Sequence, residues 1–268
     1  MNSATNTDRA PKDLSHTLTE VLGRHAGLHK RLHKEPVAFV HAGDGMYADN
    51  DAYYLQTGIS ALNAIYASLN AADIQPDQVS AVMDYACGYG RVTRWLQATF
   101  AKSSLYAGDL DPKAVAAVSS LMGAQTVQLT KDLSLPLPGK FDLIWVGSLI
   151  THLKEEAVQH LLQFLGQSLT QTGVLVATAH GEYVADRIRR REKSYNLAES
   201  DMQPLLAAYE NTGFAFAPYP GEDDYGISIN TPAKLTQMAC KAGLELVRFE
   251  KKGWVKHQDC FAFIKART

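Results

Sequence analysis

The stretch Ala81–Phe100, AVMDYACGYGRVTRWLQATF, limits what this chain can fold into more than any other. The apolar Ala81, Val82 and Met83 run into Asp84, and a glycine-bearing turn follows at Tyr85-Ala86-Cys87-Gly88-Tyr89-Gly90. After it, Val92, Trp95 and Leu96 recur at helical spacing. That order predicts strand, tight turn and helix. Glycine lacks the Cβ that would hold a ligand off, so such a turn allows close backbone approach. The helix it opens offers unpaired N–H groups to anything anionic. Units of this kind often bind nucleotides or nucleotide-like cofactors.

Two readings of the turn compete. A dinucleotide fingerprint, G-x-G-x-x-G, needs a third glycine for close packing of helix on strand. This chain has Gly88 and Gly90 but Thr93 at the third place. The alternation Asp84-x-Ala86-x-Gly88-x-Gly90 instead resembles the first motif of the class I S-adenosylmethionine-dependent methyltransferases, D-x-G-x-G-x-G. Ala86 stands where the first glycine would be, and as the next smallest side chain it is expected to be tolerated.

The segments that follow extend the resemblance. Leu105-Tyr106-Ala107-Gly108 reads as a second strand ended by Asp109-Leu110-Asp111-Pro112. A carboxylate about 20 residues past the turn can accept both hydroxyls of a ribose, which suits NAD and S-adenosylmethionine alike. Asp111 is expected to cap the helix that Pro112 begins. Val127–Leu129 reads as a third strand. Phe141–Val146 reads as a buried central one. A helix with Val158, Leu161, Leu162, Leu165 and Leu169 on one face should stop at Gly173, and Val174–Thr178 should be the fifth strand. This order of strand, F-D-x-I, helix, T-G-x-L-V and strand is similar to the second half of the methyltransferase core, and the C-terminal W-x-x-H-Q-D with Tyr225-Gly226-Ile227-Ser228 is similar to a bacterial small-molecule subgroup. The resemblance implies an α/β, three-layer Rossmann-like fold with a mostly parallel seven-stranded sheet, order 3-2-1-4-5-7-6, strand seven antiparallel. It implies S-adenosyl-L-methionine as cofactor and S-adenosyl-L-homocysteine as product. The cofactor would be held by Asp84, Ala86, Gly88, Gly90, Asp109 with its neighbour Leu110, Asp132, Leu133 and Val146. In the family, the residue at Asp132 bonds the adenine amino group and its neighbour packs on the ring.

Composition excludes several other classes. At 268 residues, with 46% apolar and 20% charged side chains, the chain is an ordinary globular protein with a sizeable core. A net charge of −2 gives no field toward nucleic acid or an anionic membrane. Cys87, Cys240 and Cys260 form no C-x-x-C pair, so neither a disulfide framework nor a zinc site is indicated, and a reducing cytoplasm fits. No apolar run approaches the ~20 residues of a membrane span, and the polar start, MNSATNTDRAPKD, is expected to be no signal peptide.

Residues 1–78 are expected to form an N-terminal helical lid region and 79–268 the cofactor-binding core, with an insertion at about 180–230 shaping the substrate site. Residues 1–12 should be frayed. Leucines and Val21 at threes and fours predict an amphipathic helix or helix pair over 14–32. His25, His29 and His33 share its polar face, with no carboxylate or cysteine to complete a metal site. Asp49, Asn50 and Asp51 can cap a long helix with Leu55, Ile59, Leu62, Tyr66 and Leu69 along its seam. Tyr53 and Tyr54 in its first turn either pack or, as the resemblance implies, cover the cofactor. Within the insertion, Arg187–Arg191 reads as a solvated helix face, and no second core is expected. Thr231, Pro232 and Gly243 bound a last helix. Two final strands, Leu244–Phe249 and Cys260–Ile264, should be joined by a loop that carries Trp254, His257, Gln258 and Asp259 to the ligand edge of the sheet.

Methyl transfer from a sulfonium is catalysed mainly by positioning, and a hydroxyl acceptor also needs a base. His152, His180 and His257 fall on loops at the ligand edge, and His152 and His257 are the candidate bases. His152 in T-H-L can instead hold a turn, and His257 has Asp259 beside it. Tyr54, Thr151, Tyr225, Trp254 and Asp259 are the candidate substrate contacts. The expected activity is methylation of a small molecule, at oxygen first. The alternatives are a small amine as acceptor, a cofactor-binding protein without turnover and, disfavoured by Thr93, an NAD oxidoreductase. Val146-Gly147-Ser148-Leu149 lacks an N-P-P-Y-like tetrad, so no nucleic-acid partner is expected. No membrane or metal is expected either, and the chain should be a monomer or homodimer.

Overall fold

The computed structural model describes residues 10–133 and 135–266. The fraying expected of residues 1–12 therefore lies mostly outside the described residues. The N-terminal helical pattern resolves into β1 (Lys12–Asp13), α1 (Ser15–Arg24), α2 (Ala26–His29) and β2 (Phe39–Val40), with β1 and β2 paired antiparallel. The long helix is α3 (Asp51–Ala71), started by the Asn50 side chain, which accepts the Tyr53 N–H at 3.0 Å.

Next come β3 (Ala81–Tyr85), α4 (Thr93–Thr99), β4 (Ser104–Asp109), α5 (Pro112–Met122) and β5 (Gln125–Gln128). Asp111 caps α5 by accepting the Lys113 N–H at 2.9 Å, with Pro112 in the first turn. β6 (Phe141–Val146), α6 (Glu155–Ser168) and β7 (Leu169–Ala179) follow. Leu169 belongs to the strand and not to the helix: its ψ of 151° is extended, and Gly173 lies inside β7 instead of ending α6. The chain continues as α7 (Glu182–Arg189), α8 (Glu199–Thr212), β8 (Phe214–Pro218), β9 (Gly226–Asn230), α9 (Pro232–Lys241), β10 (Leu244–Trp254) and β11 (Gln258–Lys265).

The main sheet has seven strands in the order β10-β11-β7-β6-β3-β4-β5. β3, β4 and β5 run parallel, and β11 is antiparallel to both β7 and β10. This is the expected order with its one reversed strand. Strands that bury both faces are continuous apolar runs, as Leu143–Val146 and Val174–Ala177 are.

Two compact units divide the chain. One takes the chain up to Asn63 together with Gln75–Phe141, and the other takes Ala64–Ile74 and Asp142–Thr268. Among the described residues no helix is long and apolar enough to cross a membrane.

Two expectations are corrected. The insertion has a core of its own, in which Val184, Ile188, Leu205, Leu206, Ile227 and Ile229 are buried together. The aromatic, proline-rich Phe214–Pro220, which with the acidic Glu222-Asp223-Asp224 spoke against a core, begins as strand β8, and only the acidic part lies in the turn to β9; the antiparallel pairing runs from Phe214↔Asn230 to Pro218↔Gly226. The second correction concerns the C-terminus, where the expected loop is mostly strand. Trp254 pairs with Gln258, so only a three-residue turn carries His257.

Candidate functional site

In the first unit the turn after β3 is shaped by left-handed backbone. Ala86 (φ 62°), Gly88 (φ 52°) and Gly90 (φ 83°) all adopt it. A Cβ on Gly88 would meet nothing within 4 Å, so space beside this backbone is open. A Cβ on Gly90 would overlap Met122 of α5, so that glycine permits helix packing, not ligand approach.

Asp84 is fully enclosed and accepts the Thr93 hydroxyl at 2.6 Å; burial pushes its carboxyl up to about 7 against that bond. Asp109 ends β4 and braces the turn, Oδ2 accepting the Gly88 N–H at 2.8 Å and Oδ1 the Asp111 N–H at 2.9 Å. Leu110 beside it is 45% exposed, although apolar. Asp132 is exposed, and Leu133 has a φ of 55°. An open face on a glycine turn, with a carboxylate fixed next to it, fits a ribose-bearing cofactor.

Behind that turn the N-terminal segment is held by a buried arginine. Arg94 donates to the carbonyls of Gly90, Val37 and Phe39 at 3.1, 2.8 and 2.9 Å, and to the Tyr54 hydroxyl at 3.1 Å. Tyr54 in turn donates to Asp44 Oδ2 at 2.5 Å. Tyr54 is thus an interior side chain with its hydroxyl in use, whereas Tyr53 is 51% exposed.

In the second unit the site grows from β9. Its sequence Gly226-Ile-Ser-Ile-Asn230 alternates, so the isoleucines enter the insertion core and Gly226, Ser228 and Asn230 share the other face. Onto that strand three segments are hung. The Gly226 carbonyl lies 2.8 Å from His152 Nδ1, the Ser228 hydroxyl donates to the Leu153 carbonyl, and the Asn230 N–H donates to the His180 carbonyl at 2.8 Å.

A carbonyl at Nδ1 requires that nitrogen to carry the proton, which leaves the lone pair of neutral His152 on Nε2. Tyr225 stacks on the ring at 4.8 Å, and the Tyr219 hydroxyl lies 3.2 Å from Nδ1. Burial lowers the pKa of His152, opposed by the Gly226 contact. The loop that presents His152 is tied from beneath. Ser148 N–H donates to Thr178 Oγ1 at 2.8 Å, Thr178 donates to Gln258 Oε1 at 2.6 Å, and Gln258 Nε2 donates to Ser148 Oγ at 2.6 Å.

His180 follows β7 and is 6% exposed. Burial drives its pKa down to about 3, with His257, His152 and Lys193 adding to the effect. His257 sits edge-on to His180 (5.6 Å) and Tyr183 (5.5 Å), and burial with Lys193, Arg187 and Lys252 lowers it to about 4. The three histidines expected at the ligand edge thus converge.

Residues 82–173 match the family model described as a methyltransferase domain. The chain carries a methyltransferase domain over that stretch. Its fold is similar to that of several solved structures. An S-adenosylmethionine-dependent methyltransferase from Clostridium acetobutylicum aligns at TM-score 0.55 and 12% identity, over 84% of this chain and 96% of that one. Human N-acetylserotonin methyltransferase in complex with S-adenosylmethionine aligns at 0.52 and 14%, over 81% and 53%. The glycopeptide N-methyltransferase MtfA, complexed with S-adenosylmethionine, aligns at 0.51 and 12%, over 77% and 94%. No curated protein matches the sequence.

Within the methyltransferase domain, the open Gly88 face and the carboxylate of Asp109 are where the motif leads one to look for the cofactor. Val146 closes β6 and is fully buried. Thr151 is buried too, its hydroxyl donating to the Ser148 carbonyl at 2.7 Å to close the turn before His152. Trp254 packs edge-on against Trp145 at 5.5 Å. Asp259 is buried and accepts the Lys252 N–H at 2.8 Å, and Gly181 approaches it so closely that a Cβ would overlap the carboxylate. Sequence reasoning missed Arg94, Ser148, Thr178 and Asn230. Only the period-two alternation of residues 226–230 could have pointed to the last.

Proposed function

We propose that the chain is an O-methyltransferase of a small hydroxylated molecule. The observation that carries this reading is His152, whose Nδ1 is held on the Gly226 carbonyl at 2.8 Å so that Nε2 is left to accept a proton. S-adenosylmethionine, when bound, supplies a methyl group already activated by its sulfonium. Asp109 would hold the ribose hydroxyls, the Gly88 face would take the backbone-close part of the cofactor, and Leu110, Asp132 and Leu133 would flank the adenine. Asp84, Ala86 and Gly90 would shape this side, and Val146 is the second unit's candidate for the cofactor. His152 would take the acceptor's proton as the new carbon–oxygen bond forms. His257, held down to about 4 by burial and three cations, is the weaker base. Tyr225, stacked on His152, is the substrate contact this reading prefers, while Thr151, Trp254 and Asp259 support the site from buried positions, and Tyr54 is buried in the first unit.

The reading places the enzyme in the cytoplasm, as a monomer or homodimer, with no nucleic-acid or membrane partner.

Calorimetry with S-adenosylhomocysteine and with NAD tests the cofactor half. Binding of NAD alone overturns the reading. Turnover of His152→Gln tests the other half. It should fall by roughly 10²–10⁴ with S-adenosylhomocysteine affinity unchanged. Retained turnover would mean an amine acceptor that needs no base.

A further inference from the structure

Around His257 the second unit gathers positive charge that its own acids do not neutralise. Lys252 Nζ lies 4.1 Å from the centre of the Tyr183 ring, and Lys193 Nζ lies 5.0 Å from that of Tyr195. Those two rings are 5.5 and 5.7 Å from the His257 ring, so both ammonium groups border one histidine. Arg187 adds a third cation, its guanidinium 5.8 Å from the Tyr183 ring. All three are felt at His257, where after burial they are what lowers the imidazole to about 4.

The acids of this edge are engaged elsewhere. Glu192 pairs with Arg187 at 3.4 Å, and Glu182 takes Arg189 at 3.4 Å and the Tyr209 hydroxyl at 2.8 Å. Among the described residues no carboxylate pairs with the Lys193 or the Lys252 ammonium. Asp259 does touch Lys252, but through the backbone, its Oδ1 accepting the N–H at 2.8 Å. Gly181 makes room for that carboxylate, since a Cβ there would overlap Asp259 Oδ2. The bond holds Lys252 at a φ of 57°, a left-handed shape that a lysine adopts only at a cost. In that shape its side chain lies over Tyr183 and away from any acid.

The class of ligand follows from this donor set. An ammonium has three donors and no acceptor. A ring face attracts it from one side and leaves those donors free to turn to solvent. Lys193 is exposed, and Lys252, Tyr183, Tyr195 and His257 are half-buried, so a solute reaches them from outside. Cations gathered without counter-charges repel one another and would repel a cationic ligand. A neutral hydroxyl would leave that repulsion in place. An anion with several acceptor oxygens relieves it and takes charge-assisted hydrogen bonds from both lysines. The place also adjoins the proposed base: His180 lies 5.6 Å from the His257 ring and is influenced by His152 as well.

We infer that Lys193, Lys252 and His257 form an anion subsite, so that the methyl acceptor is a hydroxylated molecule bearing a carboxylate or a phosphate. As an acceptor subsite it rests on the methyltransferase reading above.

The test is calorimetric titration of the full chain, saturated with S-adenosylhomocysteine, with four probes: 4-hydroxybenzoate, 4-hydroxyphenyl phosphate, phenol and tyramine. At least one of the two anions should bind about tenfold or more tightly than phenol and tyramine. Which anion does so separates carboxylate from phosphate, and its affinity should fall as salt is added. Lys252→Gln and Lys193→Gln should each weaken that anion about tenfold. Lys252→Arg keeps the charge and should bind it more tightly than Lys252→Gln does. Lys241→Gln removes an exposed lysine from the end of α9 and should stay within about twofold of the parent. Lys193→Gln decides alone if Lys252→Gln does not fold. Equal binding of all four probes, preference for phenol or tyramine, no binding of either anion, or full anion affinity in either lysine-to-glutamine variant overturns the subsite. So does a Lys252→Arg affinity as low as that of Lys252→Gln, or an equal loss in Lys241→Gln, which would reduce the effect to net charge. The cofactor titration that precedes the probes keeps the two readings apart. Failure to bind S-adenosylhomocysteine breaks the methyltransferase reading, whereas cofactor binding without an anion preference breaks only this one.

Discussion

Asp44, Tyr54 and Arg94 in the first unit and His180, Asn230 and Tyr195 in the second are alike in carrying polar atoms into the interior and opposite in how those atoms are bonded. In the first cluster Arg94 reaches four acceptors, Tyr54 both donates and accepts, and Asp44 takes the Tyr54 hydroxyl on Oδ2 and the Met46 N–H on Oδ1. In the second, four atoms have no partner. A saturated buried network rigidifies what it joins, and a partly satisfied one costs stability unless something else completes it. The first therefore reads as structure, stapling the segment around Val37–Phe39 to α4. The second is enclosed without being satisfied.

The largest test of that contrast is Arg94→Met. It keeps most of the side-chain volume but strands the Val37, Phe39 and Gly90 carbonyls and the Tyr54–Asp44 pair. Unfolding free energy in urea should drop by about 3–5 kcal/mol. A drop below ~1 kcal/mol would mean that the network is replaceable by water, and the comparison would lose its first half.

A second test uses pH on the saturated side. Asp84 is pushed from 3.8 to about 7 by burial, opposed by the Thr93 hydroxyl and raised further by Asp109. A carboxyl whose folded value is raised binds more protons folded than unfolded, so stability falls as pH climbs from about 4 to about 7. The loss over that window should be on the order of 2–4 kcal/mol. Asp84→Asn keeps a partner for Thr93 and removes the titration, so its melting temperature should be flatter across the window than that of the parent. Parallel curves for the two proteins would show that Asp84 is already charged when folded.

On the unsaturated side the expected sign reverses. Asn230→Val removes two orphaned atoms, keeps the backbone bond to His180 and suits a strand. Stability should hold or rise by about 1 kcal/mol. A loss above ~2 kcal/mol would reveal partners for the amide.

These same clusters explain what was legible in the sequence. The sheet was, because its central strands are local apolar runs and two of its helices carry local caps, Asp111 with Pro112 and Thr231 with Pro232. Local patterns survive folding. Arg94 was not legible. An arginine in a helix reads as solvent-facing, and its partners at 37, 39 and 54 are joined to it only by the fold. The insertion core was hidden by averaging, since the acidic turn 218–225 masked two short alternating strands. Of the site, the histidines were visible as residue types at strand ends. Their ranking was not, because it rests on a carbonyl 74 residues from His152. Asp259, the near neighbour of His257, has its Oδ1 bound to the Lys252 backbone.

The smallest effect belongs to the turn that organises the chain. Alanine at position 86 looks harmless by size, but size is not what the position tests. Ala86 has a φ of 62°, in the left-handed region where an L side chain costs roughly 1–2 kcal/mol. Glycine carries no such strain, but its unfolded chain is more flexible by roughly 0.5–1 kcal/mol. The two nearly cancel, so Ala86→Gly should stabilise by about 0.5 kcal/mol, read as a higher urea midpoint at unchanged slope. The neighbouring glycines give the scale. Gly88→Ala meets open space at φ 52° and should cost the strain less the same unfolded-chain gain, about 0.5 kcal/mol net, whereas Gly90→Ala adds an overlap with Met122 and should cost more. The order Ala86→Gly, parent, Gly88→Ala, Gly90→Ala, from most to least stable, tests backbone angle and packing separately. If Ala86→Gly instead lowers stability by 1 kcal/mol or more, the alanine methyl is packing usefully and the left-handed strain is being repaid at that site.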